Sequence, residues 1–175
     1  MTESKNGRTF VQGNVWNYWN DDMYKEYNCN PQGLNTKDCV YRALSLFLDK
    51  DWKEIAEINM NYYLETGRFL WNVHRIESGR FAIPIANLNS YLSSLGYHDI
   101  MPDLYGEPGY HRIPKILADY PEMKKGRFLF LNGIHAITMV DGVIHDSGPN
   151  MVANEYARCY AANDLTLIDG NVIPK

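Results

Sequence analysis

The sequence predicts an α+β domain. Between about residues 38 and 95, apolar residues recur at spacings of three and four, which marks helices with one buried face. After residue 126 the apolar runs shorten to about five residues and are split by Asn132-Gly133 and Asp141-Gly142, both hairpin-type turn dipeptides. Helices first and an antiparallel sheet second is the order of an α+β arrangement.

The first helix is expected from Asp38 or Cys39 to Leu48, with Val40, Ala43, Leu44, Phe47 and Leu48 on its buried side and Thr36 or Asp38 as its cap. A second opens at the capping-box pattern Asp51-Trp52-Lys53-Glu54, carries Ile55, Ile58 and Tyr62, and stops at Gly67. A third begins with Pro84 as its first helical residue and carries Ile85, Leu88, Leu92 and Leu95 up to Gly96. Residues 101–112, with two prolines and two glycines, read as a turn-rich connection, and Pro114 to Tyr120 as a short helix. Three strands follow, Arg127 to Leu131, Ile134 to Val140 and Val143 to Asp146, with a further one at Asp164 to Ile168. Residues 28–175 thus form the domain. Residues 1–27 are an aromatic- and Asn-rich extension packed on it or flanking it, with Val15 to Trp19 as a short strand or arm.

Composition narrows the function. The 175 residues are 45% hydrophobic, enough for a packed core. A net charge of −4 disfavours a nucleic-acid or membrane-surface binder, and the basic residues Lys124, Lys125 and Arg127 read as a solvated loop. No apolar run approaches the roughly 18 residues of a membrane span, and no secretory leader is visible. Cys29, Cys39 and Cys159 are odd in number and widely spaced, which suits a reducing cytoplasm and lacks zinc-site spacing. No cofactor or metal is expected.

One cysteine stands in a reactive position. Cys39 falls where the polar loop 28–38 turns into a helix, and a helix N-terminus stabilises a thiolate through unpaired N–H groups and the positive end of the macrodipole. A small buried cysteine is the plainer reading until the second hairpin is considered. If Asp141-Gly142 is a two-residue turn, Val140 pairs with Val143, Met139 with Ile144, Thr138 with His145 and Ile137 with Asp146. His135 and Asp146 then share a face one diagonal step apart, and His145 points the other way. A base oriented by a third group is what a thiol nucleophile needs. A one-residue slip would reverse the assignment. A metal cluster of His135, His145 and Asp146 is disfavoured because adjacent strand residues point apart. His74, His98 and His111 read as surface histidines, and Cys29 as an incidental thiol rather than a resolving partner for Cys39.

The run Asp38-Cys39-Val40-Tyr41-Arg42-Ala43, then His135-Ala136, then Val140 to Asp146, resembles the small papain-like cysteine peptidase-type proteins of phage and prophage genomes. The resemblance covers about residues 33–148. It implies a helix headed by the nucleophile and packed on a sheet that supplies the other groups. It implies Cys39 as nucleophile, His135 as general base and then acid, Asp146 as orienting group, and Asn35 or Gln32 as an oxyanion donor beside the Cys39 N–H. The expected activity is hydrolysis of an amide, isopeptide or related acyl bond in a protein or peptide substrate, including a host protein, in the cytoplasm (the host's, for a phage-encoded chain). The alternative is a catalytically inactive papain-like binding protein that sequesters a host defence protein or small-molecule signal. A cell-wall amidase in the style of NlpC or CHAP domains shares the nucleophile logic but lacks wall-binding repeats.

Overall fold

The structure is a computed structural model that describes residues 23–33, 38–71, 83, 85–146, 156–162, 166–168 and 171–173. Its architecture is α+β, with helices on both faces of a mixed sheet.

Helix α1 spans Cys39–Leu48 and ends at Asp49, whose left-handed backbone (φ 56°) lets its N–H reach the Ser45 carbonyl. Helix α2 spans Trp52–Thr66. Both halves of its capping box form, with Glu54 N–H donating to Asp51 Oδ1 (2.8 Å) and Asp51 N–H to Glu54 Oε2 (3.0 Å). Helix α3 spans Ile85–Ser94 and buries Leu88 and Leu92; Leu95 lies past its end and is 44% exposed, so the expected stripe is one residue shorter. Pro84 lies outside the described residues. The connection expected over 101–112 instead holds α4 (Met101–Tyr105) and the strand β3 (His111–Arg112), after β2 (Tyr97–Asp99). Helix α5 (Ile113–Asp119) and a 3₁₀ turn (Pro121–Lys124) lead into the sheet.

The sheet strands are β1 (Tyr24–Glu26), β4 (Arg127–Leu131), β5 (Ala136–Val140), β6 (Val143–Asp146) and β7 (Tyr156–Ala162), with β2 and β3. Their order is β1-β6-β5-β4-β7-β2, and β3 also pairs with β7. The expected all-antiparallel sheet is corrected at one edge, because β1 runs parallel to β6, with Glu26 opposite Asp146. Strand β7, Tyr-Ala-Arg-Cys-Tyr-Ala-Ala, carries no strong strand signal, yet it pairs with β2, β3 and β4. A separate hairpin joins β8 (Thr166–Ile168) and β9 (Asn171–Ile173).

Strand β4 shows why the runs are apolar rather than alternating. Phe128 and Phe130 face α4 and α5, and Leu129 and Leu131 face α1, α2 and α3, so both surfaces of the sheet are dry. Buried Thr138 of β5 donates to the Ala43 carbonyl at 2.7 Å and pins α1 to the sheet centre. Helix α1 runs in the same sense as β5, so its first turn arrives where β5 begins and β6 ends.

Candidate active site

Cys39 is the first residue of α1 and is half-buried, with Val40 and Tyr41 packed behind it. At that position a backbone N–H has no intrahelical acceptor. Asp38 does not cap the helix through its side chain, contrary to one of the two expected caps; Thr36 lies outside the described residues. The reason is that the Asp38 carboxylate turns inward. Its Oδ1 meets Arg42 Nη2 at 2.7 Å, and its Oδ2 accepts from Asn30 Nδ2 (2.9 Å) and Trp52 Nε1 (3.1 Å). Both charged side chains are buried.

His135 sits in the residues between β4 and β5. The expected strand began at Ile134, but Leu131 pairs with Ala136, so residues 132–135 make a four-residue loop rather than an Asn-Gly two-residue turn. Asn132 closes that loop with its side chain. Its Oδ1 accepts from the N–H groups of Ile134 (2.9 Å) and His135 (2.8 Å), its own N–H donates to the His135 carbonyl (3.0 Å), and its Nδ2 donates to the Tyr156 carbonyl (3.2 Å). The imidazole is thereby aimed from a fixed backbone, as Asn side chains do in such turns.

The second hairpin has the expected register. Val140 pairs with Val143, Met139 with Ile144 and Thr138 with His145. Asp141 (φ 48°) and Gly142 (φ 79°) are both left-handed, the signature of a type I′ turn. Asp146 therefore lies on the His135 side, and His135 Nε2 meets Asp146 Oδ1 at 2.9 Å. Both residues are buried, His135 at 5% and Asp146 at 3% exposure. His145 points away and packs edge-on against Tyr27 at 5.9 Å. Among the described residues no group of three His, Cys, Asp or Glu side chains is placed to hold a metal ion.

The third member closes the set. Cys39 lies close enough to the His135 ring to act on its charge. With Nε2 turned to Asp146, Nδ1 is the ring nitrogen not engaged by the carboxylate. Burial pulls the His135 pKa down, but the Asp146 hydrogen bond, the Cys39 contact and their charges outweigh it and push it up to about 10. A pKa raised in this way favours the protonated ring at neutral pH.

The chain matches no family model, no curated protein and no solved structure. The reading of the site therefore rests on its own geometry.

The other expected residues are placed as follows. Gln32 is exposed in the loop after β1, its N–H held by Asn30 Oδ1 at 2.9 Å. Asn35 lies outside the described residues, as does His74. Cys29 is half-buried, and the Tyr27 pKa is pushed up to about 12 by burial and by the neighbouring Cys29. Cys159 is buried, which drives its thiol pKa well up. His98 pairs with Asp103 at 2.7 Å on the surface, and His111 stacks on Tyr105. The sequence assigned no site role to Asn30, Arg42, Trp52 or Asn132. Asn132 stood out as the first residue of an Asn-Gly pair, and its role is side-chain closure rather than a tight turn.

Proposed function

We propose that this protein is a thiol hydrolase with a papain-like arrangement, cleaving an amide, isopeptide or related acyl bond by a Cys39–His135–Asp146 mechanism. The observation that carries the reading is the buried His135–Asp146 pair at 2.9 Å, with the cysteine that starts α1 close enough to act on the same ring. The three groups come from three separate segments of the chain. A cationic imidazole beside a sulfur favours the thiolate.

The Cys39 thiolate attacks the carbonyl carbon, a C–S bond forms, and the oxygen takes up negative charge. The Cys39 N–H and a side chain from the preceding loop, Gln32 or Asn35, stabilise that oxyanion. Collapse breaks the C–N bond while the His135 cation gives its proton to the leaving nitrogen. Water then attacks the thioester, neutral His135 takes its proton, the C–S bond breaks, and the acid leaves. Thiolate and imidazolium are restored. The Asp146 bond keeps the ring oriented and stabilises each return of its charge.

Iodoacetamide labelling with peptide mapping tests this. Free thiols are only a few per cent ionised at pH 7, so Cys39 is expected to react about ten-fold faster than Cys29 or more, and His135→Ala to abolish that advantage. If Cys39 reacts no faster than Cys29 and Cys159, and His135→Ala changes nothing, the reading is lost.

A further inference from the structure

Asp38 raises a problem for the proposed chemistry. It places a carboxylate on the residue next in sequence to a sulfur that must carry negative charge, and nearby like charges disfavour each other. The carboxylate nevertheless has a structural task. It accepts from Asn30 in the loop after β1, from Trp52 at the start of α2, and from Arg42 one turn along α1. Those three donors tie three segments to the residue that precedes Cys39. Asn30 in turn organises its loop: its Oδ1 holds the Gln32 N–H and its carbonyl holds the Gly33 N–H at 2.9 Å. A neutral side chain offers fewer acceptor sites for such a junction.

We propose that Arg42 is a positioning and charge-compensating residue: it neutralises Asp38, so that the carboxylate can tie the 28–33 loop and α2 to the start of α1 without setting an uncompensated charge beside the Cys39 sulfur. This rests on the thiol-hydrolase reading of Cys39 and adds to it the residue that keeps the junction compatible with the nucleophile. Burial separates it from an ordinary surface pair. The Arg42 and Asp38 side chains are 3% and 6% exposed, and a buried ion pair contributes little net stability over an apolar pair of the same shape.

The remaining charges around α1 do not replace Arg42. From the sheet, His135 faces Cys39, backed by Asp146. Burial, with Lys25 nearby, lowers the pKa of His145. Tyr27 and Cys29 engage each other in the loop. Arg127 with Asp49, and Lys50 with Glu54, pair at the far end of the helix, about 15 Å away at 1.5 Å per residue.

The test is the pH dependence of Cys39 alkylation in the full chain, followed by mass spectrometry of the Cys39 peptide. Arg42→Gln is expected to raise the midpoint by about one pH unit, because Asp38 loses its counter-charge. Asp38→Asn, which keeps the shape, is expected to lower it. The double variant Asp38→Asn/Arg42→Gln is expected to return towards the wild-type midpoint, a reversal that loss of packing would not produce. If Arg42→Gln fails to fold, the direction of the Asp38→Asn shift decides. Unchanged midpoints, or a double variant displaced as far as Arg42→Gln alone, overturn the proposal. Failure of the hydrolase reading is separately visible, as His135→Ala leaving Cys39 reactivity untouched while these midpoints still move.

Discussion

Asp146→Asn isolates the interaction that gives His135 its charge. The Nε2–Oδ1 separation is 2.9 Å between two buried groups. At an effective dielectric constant of about 20, two unit charges at that distance attract by about 6 kcal/mol. Burial of the imidazole opposes this, and the net outcome is a pKa raised from 6.5 to about 10. At 1.36 kcal/mol per unit, that span corresponds to about 4–5 kcal/mol as an order of magnitude. The folded state binds this proton more tightly than the unfolded chain. The stabilisation is therefore complete below pH 6.5 and is lost as pH climbs towards 10. Asn at position 146 keeps the shape and a hydrogen-bonding oxygen but removes the charge, so burial prevails and the His135 pKa falls by two units or more, on the usual scale of such effects. The assay is urea unfolding at intervals from pH 6 to pH 10, alongside NMR titration of the ring. Wild-type protein should lose at least about 2 kcal/mol more than Asp146→Asn over that window. Tyrosine and lysine titrations common to both proteins cancel in the comparison. Parallel stability curves, or a His135 titration unmoved by the substitution, would refute the reasoning.

Two further outcomes follow from the loops that aim the site. Asn132→Ala removes the acceptor shared by the Ile134 and His135 N–H groups and should cost about 1–3 kcal/mol of stability, with a several-fold fall in Cys39 alkylation; Asn132→Asp, which keeps that acceptor, should restore most of the alkylation rate. Gly142→Ala places a Cβ on a left-handed residue (φ 79°) and 3.3 Å from the Lys124 carbonyl oxygen, so unfolding measurements should show a loss of about 1–2 kcal/mol.

Elements governed by local chemistry were legible in the sequence. The Asp51–Glu54 capping box, the Asp141-Gly142 turn and the start of α1 at Cys39 each follow from a few neighbouring residues. The hairpin turn carried furthest, because a type I′ turn fixes the register and so selects Asp146 over His145 as the His135 partner. Strand β1 was harder. Tyr24-Lys25-Glu26 has no apolar alternation, and it is a strand because the β6 edge offers backbone partners. Strand β7 was hidden for another reason: Ala157, Cys159 and Ala161 are small and lie against the larger Phe128, Phe130 and Ile137 side chains and the α4–α5 layer, so its burial is supplied by neighbours.

The Asp38–Arg42 pair marks the limit of such reading. In sequence it is an i,i+4 acid–base pair at the start of a helix, and such pairs on an exposed face are worth only about 0.3–0.5 kcal/mol. What changes its meaning is Trp52, fourteen residues on, which covers the carboxylate and stacks on Tyr41 at 5.1 Å, and Asn30, eight residues back, which ties the incoming loop to it. Neither contact has a sequence period. The same two residues that would decorate a surface helix become a buried junction immediately before Cys39. There, on the proposal above, compensation of Asp38 by Arg42 would act on the sulfur, whereas on a solvated face water would screen it.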